Sequence, residues 1–479
     1  MPSRSEAAAA RTRSVLMLCA HEPTMDPRIH WEAAGAATRF DVTVLGFQRP
    51  GAALPEEERR DGYTIRRVSA ESSNLTAFLL DFNQVLRARA RAAAWLGVLL
   101  IGLMAAPAVA VLFIVPRLLP LYQVLLKKPL ERLGWWRRAR AVIVRAIEAL
   151  AHSRVLYVHA LLRTQFAPAT ALFSRHIEAL ACKPDVVHCN DLDTLLAGVL
   201  AKKRFGCRLV YDAHEYYPHG DPQGTWLDTA FFEFMEQALI RHADAVVTVN
   251  PLLARQMASA YRLARVFSVP NAEPYAGAVA AAASSAMDRL AAGRPKILFQ
   301  GRFTPGRGLE EVIQTWAKLD PATAALFLRG PDNECRQALS LLAGSLGVLG
   351  RSVYFLDPVP EEALVQAAAE ADIGLIPYKP IVMGYRFACP NKLSQYLHAG
   401  LMILTNDLPY VRQVVEEAQA GLHYSSEQLD TLVTAVRRIA AERPLLERCR
   451  RNAVYYARQS FNWQIFSQTL YDLYEARQS

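Results

Sequence analysis

The chain has 479 residues, 52% of them hydrophobic, and a formal charge of +9. That length suggests two or three domains, and the apolar content suffices for sizeable cores, which excludes a disordered chain. The charge does not mark a nucleic-acid binder, because eleven basic residues against a single acid, Glu131, fall between positions 87 and 145, a local +10 that leaves the rest at −1.

A polar leader runs into SVLMLCA (14–20), which reads as a buried parallel strand and is too short for a signal-peptide core. A loop and a helix around 30–37 follow, then the strands DVTVLGF (41–47) and YTIRRV (63–68). The α/β pattern is then interrupted over about 74–176. Within this insertion, residues 92–126 carry one charge, Arg117, and residues 92–116 carry none. About 20 apolar residues cross a bilayer. Basic flanks and the neighbouring Trp95, Trp135 and Trp136 suit an anionic membrane surface. Strands on both sides of the run belong to one sheet, so both of its ends lie on one side of the membrane. Pro107 near its middle breaks a helix. A re-entrant or in-plane hydrophobic hairpin, with both ends cytoplasmic, meets these conditions. The seven scattered cysteines form no CxxC pair, which leaves metal binding and a disulfide framework unsupported and fits a reducing compartment.

Strands resume with DVVHCN (185–190), RLVYDAHE (208–215) and AVVTVN (245–250). An alanine-rich stretch, 276–294, reads as a linker. Six further strands follow: KILFQGR (296–302), ALFLRG, VYFLDPV, IGLIPY, MILTND and GLHYS. Strands alternating with helices give parallel, doubly wound sheets. The expected fold is therefore α/β, with two facing Rossmann-like domains and a membrane-associated helical insertion in the first. The expected boundaries are 14–275, 295–456 and a C-terminal helical segment, 457–479, crossing between the domains. Its aromatic residues Phe466, Tyr471 and Tyr474 recur at helical spacing.

No GxGxxG follows the first strand; HEPTMDPR (21–28) stands there instead, with Asp26 and Arg28 as acceptor-side or phosphate contacts. In GRFTPGRGLE (301–310), Gly301 and Gly308 permit close backbone approach and Arg302 and Arg307 supply charge, which together suit a diphosphate. In PNKLSQYLHAG (390–400), Lys392 follows Asn391 in the first turn of a helix, an unfavourable place for a cation unless an anion sits there. His188, Asn190 and Asp191 end one strand and His214 and Glu215 the next, and both sets should face the cleft.

HCNDLDTLLAG, YDAHEYYP, VPN, the GR…GRGLE loop, ADIGLIPY and PNKLSQYLHAG, in that order, resemble the GT-B glycosyltransferases of family 4, which are retaining and nucleotide-sugar-dependent. The resemblance covers the chain outside 74–176. It implies that Arg302 and Arg307 hold the donor diphosphate beside Gly301 and Gly308, that Asn391 and Lys392 contact the nucleotide sugar, that VYFLDPV passes beside the base, and that His188 and Asp191 face the reacting sugar; His214 and Glu215, at the end of the next strand, join them as catalytic candidates. It also implies that the nucleotide sugar is a substrate and that no cofactor or metal is needed. The family's Glu-x7-Glu motif would end at Gln395 and begin at Phe387, so both acids are missing; an amide oxygen at Gln395 can still accept a ribose hydroxyl. The expectation is a retaining, metal-independent glycosyltransferase at the cytoplasmic membrane face. It would use a UDP- or GDP-sugar and a lipid-linked or glycolipid acceptor. A non-catalytic membrane scaffold for polysaccharide assembly and a sugar-nucleotide epimerase are the alternatives.

Overall fold

A computed structural model describes residues 12–49, 51–69, 82, 84–85, 166–180, 183–221, 224, 226–277, 279 and 285–476. Two sheets organise them. The first has eight strands in the spatial order β3-β4-β2-β1-β5-β6-β7-β8. These are β1 (Ser14–Leu18), β2 (Asp41–Phe47), β3 (Glu57–Arg60), β4 (Tyr63–Val68), β5 (Val186–Asn190), β6 (Arg208–Ala213), β7 (Ala245–Thr248) and β8 (Phe267–Ser268). All pairings are parallel except the β3–β4 hairpin. The second sheet, wholly parallel, has the order β11-β10-β9-β12-β13-β14. Its strands are β9 (Lys296–Gln300), β10 (Ala325–Arg329), β11 (Val353–Leu356), β12 (Ile373–Ile376), β13 (Met402–Asn406) and β14 (Gly421–Tyr424).

The apolar runs dictate this arrangement. Every residue of VVHCN in β5 is buried, as expected of a parallel strand covered on both faces. Local signals set the helix ends. Asp26 accepts a hydrogen bond from the Arg28 amide and Pro27 opens the helix Pro27–Ala36, while Gly206 closes Leu192–Phe205 in the left-handed conformation. In each sheet the chain first winds outward to one side and then to the other, so the reversals fall between β1 and β5 and between β9 and β12. Ligands of doubly wound sheets settle in the crevice at such switch points, beyond the carboxyl ends of the strands.

The hairpin expected at 92–126, with its basic and tryptophan flanks, lies outside the described residues; among those described, no helix is long and apolar enough to cross a membrane. The expected insertion boundary at 176 falls inside the helix Phe166–Glu178, which is part of the core rather than of an appendage. Phe173 and Ile177 are buried there, and Phe173 stacks on Phe47 with ring centroids 5.2 Å apart. The linker stretch ends in a short helix, Ala286–Ala291, held by a capping box between Ser285 and Asp288. The six described cysteines are all free.

The chain passes between the domains twice. The first passage follows β8. The second follows the helix Arg443–Gln459, which is tied to the second domain through Arg450 and Asp372 at 3.3 Å. The last helix, Trp463–Glu475, then returns to the first domain. There Trp463 packs on Trp31, and Phe40 meets Tyr474 edge-on with centroids 5.5 Å apart. Burying Leu470 and Tyr474 fully contributes about 1.5–3 kcal/mol for each such side chain. The domains also touch at their lips. Asn250 Nδ2 donates to the Phe387 carbonyl at 2.6 Å and Asn271 Nδ2 to that of Cys389 at 2.9 Å. A Cβ on Gly384 would lie 2.7 Å from the His219 carbonyl oxygen, so only glycine admits this approach.

Candidate active site

On the first-domain wall, Asn190 at the end of β5 is the hub. Its Nδ2 donates to the Leu18 carbonyl at 3.0 Å, which orients the amide. Its oxygen therefore accepts from His188 Nε2 at 3.1 Å and from His214 Nε2 at 3.0 Å. Each imidazole thus carries its proton on Nε2. His188 Nδ1 is left to accept from the Tyr474 hydroxyl at 2.7 Å. Burial, foremost, pushes both histidines down to about 4 despite the nearby Asp212 carboxylate, so both are neutral.

His214 Nδ1 points toward Asp191 (3.6 Å) and Asp26 (3.8 Å), and these three groups line the cleft. Asp191 sits at φ 61°, ψ 170°, a costly conformation for a residue with a side chain. The strain is held by two bonds: its amide donates to the Asp212 carbonyl at 2.9 Å, and its carboxylate accepts from the His214 amide at 3.0 Å. Burial, with Asp193 and Glu215 nearby, raises the Asp191 carboxyl well above the carboxylate range. Glu215 is raised too, by burial, with Arg307 opposing the shift from across the cleft.

Two expected substrate contacts lie beneath this wall instead. His188 is fully buried with both ring nitrogens engaged, and Arg28 is 1% exposed. The Arg28 guanidinium contacts Glu32 at 2.9 Å, Asp212 at 2.6 Å, the Val269 carbonyl at 2.7 Å and Asn271 at 2.9 Å. Both side chains are sealed inside the protein, so neither residue reaches an acceptor, and both position the groups above them. Glu32 and Asp212, absent from the expected site, lie together around Arg28. Burial pushes both carboxyls up, but Arg28 holds Asp212 well below the usual range while Glu32 rises, so the pair keeps one proton. Glu32, His188 and Asp212 offer ligand atoms within 4.8 Å of one another, yet Arg28 already supplies the cation that the carboxylates need. The signals that could have found these acids are the i, i+4 spacing of Arg28 and Glu32 and an aspartate inside the apolar strand RLVYDA.

On the second-domain wall, Lys392 stands in the first turn of the helix Asn391–His398, whose N-terminus has no side-chain cap. Lys392 Nζ donates to the Tyr378 hydroxyl at 3.0 Å, and the Arg307 guanidinium lies over the Tyr378 ring, 4.0 Å from its centroid. Burial and Arg307 lower the Lys392 pKa; Tyr378 is lowered by these same two cations against the effect of its burial. Gly301 (φ +135°) leaves room for Lys392, whose Nζ would lie 2.6 Å from a Cβ there. Gly308 (φ +75°) passes against the Pro377 carbonyl, 2.3 Å from where a Cβ would stand. Two cations thus converge at a glycine-lined, uncapped helix terminus, an arrangement suited to a diphosphate. Arg302 is exposed and has no ion pair or hydrogen bond among the described residues. Gln395 is buried one turn beyond Lys392, at 5% exposure, with its amide oxygen 3.5 Å from Gln300 Nε2.

Residues 150–272 match the family model "Glycosyl transferase 4-like domain", and residues 294–442 match "Glycosyl transferases group 1". The chain is 27% identical over 332 residues to D-inositol 3-phosphate glycosyltransferase of Nocardia farcinica, covering 66% of this chain and 72% of that protein. Among solved structures, sucrose-phosphate synthase of Thermosynechococcus elongatus superposes with a TM-score of 0.64 at 13% identity, over 96% of this chain and 98% of its own. HepE of Anabaena, in complex with UDP-glucose, superposes with a TM-score of 0.60 at 14% identity and the same coverage. These distant likenesses share the fold.

Proposed function

We propose that this chain, which belongs to the family 4 type of GT-B glycosyltransferases, moves a sugar from a UDP- or GDP-sugar to a lipid-linked or glycolipid acceptor with retention of configuration. The observation that carries the donor half is the convergence of Lys392 and Arg307 on Tyr378 beside Gly301. UDP is the first candidate, since solved structures of this fold are complexes with UDP or UDP-sugars. Fixed cations stabilise the departing diphosphate where its charge develops, and they need no metal ion to do so. The bond from the anomeric carbon to the diphosphate breaks, and the bond to the acceptor oxygen forms on the same face. The acceptor's proton passes to the leaving phosphate oxygen. His214 and Asp191 accept hydrogen bonds from sugar hydroxyls opposite the cations, and closure of the lips keeps water from the donor.

The membrane half rests on the uncharged run 92–116 and its basic flanks. Replacing 92–126 by a short Gly/Ser bridge should move the protein from membranes to the soluble fraction with its donor binding intact, because loop replacement costs little entropy. Full retention in salt-washed membranes would remove the anchor.

A panel of nucleotide sugars tests the donor. The right one at about 100 times its Kd should stabilise the fold by about 2.7 kcal/mol. It should also release nucleoside diphosphate when membrane lipid extract is added. Epimerised donor without transfer, or no stabilisation by any UDP- or GDP-sugar, would sink the reading.

A further inference from the structure

Gln395 occupies the position where a carboxylate is expected, but its amide is turned away from that task. Gln300 Nε2 donates to the Leu364 carbonyl at 3.0 Å and faces the Gln395 oxygen at 3.5 Å, which draws that oxygen into the protein interior. The amide nitrogen of Gln395 remains as a donor on the side of Glu273, whose carboxyl it helps to hold down against the effect of burial.

Glu273 lies where the chain first passes between the domains. Its own amide donates to Ser394 Oγ at 2.6 Å, and its carbonyl accepts from the Trp463 amide at 3.1 Å. The backbone is thereby pinned on both sides, against the helix Asn391–His398 and against the last helix. A carboxylate offers about four acceptor sites. Gln395 is the one donor that faces the group among the described residues. Burial, with Glu361 opposite, pushes the Glu273 carboxyl up to about 7, as expected of an acid short of donors. Glu361 stands in the turn after β11, on the segment VYFLDPV and its continuation. The half-buried carboxylate therefore sits beside Gln395, itself one helical turn beyond Lys392, with Glu361 of the segment after β11 on its other side.

We infer that Glu273, held in place by Gln395, is the carboxylate that accepts the ribose hydroxyls of the donor nucleotide. Gln395 positions it and does not itself read the sugar. This rests on the donor reading of the Lys392 and Arg307 wall, and the two can fail separately.

The test compares binding of UDP and of 2′,3′-dideoxy-UDP by calorimetry to the full chain and to four variants, with thermal unfolding confirming that each is folded. The parent should prefer UDP. Glu273→Ala should weaken UDP binding by at least about tenfold, the loss of hydrogen bonds to a charged group, and should erase the preference. Glu273→Gln, which keeps the shape, should lose most of it. Gln395→Ala should reduce the preference only in part. The exchange Glu273→Gln/Gln395→Glu returns one acid and one amide to the same corner and should restore discrimination, which a merely structural Glu273 would not. An undiminished preference in Glu273→Ala overturns the inference. So does a preference lost in Gln395→Ala and kept in Glu273→Gln. A parent that binds neither nucleotide overturns the donor reading itself, and the inference with it.

Discussion

Replacing Lys392 by methionine should lower kcat/KM about 10- to 150-fold, the equivalent of about 1.5–3 kcal/mol for one charge-assisted contact made to the leaving group. Methionine keeps the stem and removes the ammonium. Lys392 is partly buried with a lowered pKa, and its only described hydrogen-bond partner is the Tyr378 hydroxyl. Its charge is therefore a cost in the empty protein, and Tm should hold steady or rise slightly in the variant. Tyr378→Phe retains the ring under Arg307 and removes only the hydroxyl, so a loss of a few-fold is expected for one neutral group. Arg302→Ala, at an exposed and unpaired position, should change little. Steady-state kinetics beside thermal unfolding separate these cases. Wild-type kcat/KM in the Lys392 variant would take the diphosphate away from this corner.

Arg28→Met should destabilise the fold by about 3–5 kcal/mol, because it strands two buried carboxyl groups that share one proton. Asp212 loses its 2.6 Å partner and Glu32 its 2.9 Å partner, and both acids are fully buried. Adding Asp212→Asn to the same chain should recover part of the loss, since the stranded charge is then gone. Denaturant midpoints for the single and double variants decide this. A cost below about 1 kcal/mol, with a large fall in kcat, would return Arg28 to the substrate-contact role expected from the sequence.

Where periodicity or a short motif carried the signal, the sequence was readable. DVTVLGF and YTIRRV coincide with β2 and β4 to the residue, because runs rich in β-branched and aromatic residues between turn residues are written as strands. The strands β3 and β8 escaped notice for opposite reasons. EERR is a charged edge strand that only its hairpin partner reveals, and Phe267–Ser268 is two residues long. The two strand-end clusters do meet at one cleft, and Lys392 does approach Arg307. What sequence could not separate was depth. His188 and His214 look alike at adjacent strand ends, yet one ring is sealed under Tyr474 while the other is 12% exposed toward Asp26. Depth depends on the last helix, 286 residues downstream of His188, which no local pattern registers. Glu273 was hidden for a similar reason, since it meets Gln395 only once the two walls have come together.

The double passage of the chain between the domains, with Trp463 bonded to Glu273 where the two strands run side by side, has a mechanical consequence. A single tether would let the halves swivel in any direction. Two tethers laid together and cross-linked leave one easy degree of freedom, a jackknife motion about the line that joins them, and resist shear and torsion. Points on that line are not displaced as the angle changes. Glu273 and Ser394 stay in register whether the mouth is wide or shut, while the tight approach of Gly384 to His219 comes apart. The nucleoside end of a ligand would then meet the same surface at every angle, and only its far end would feel the stroke.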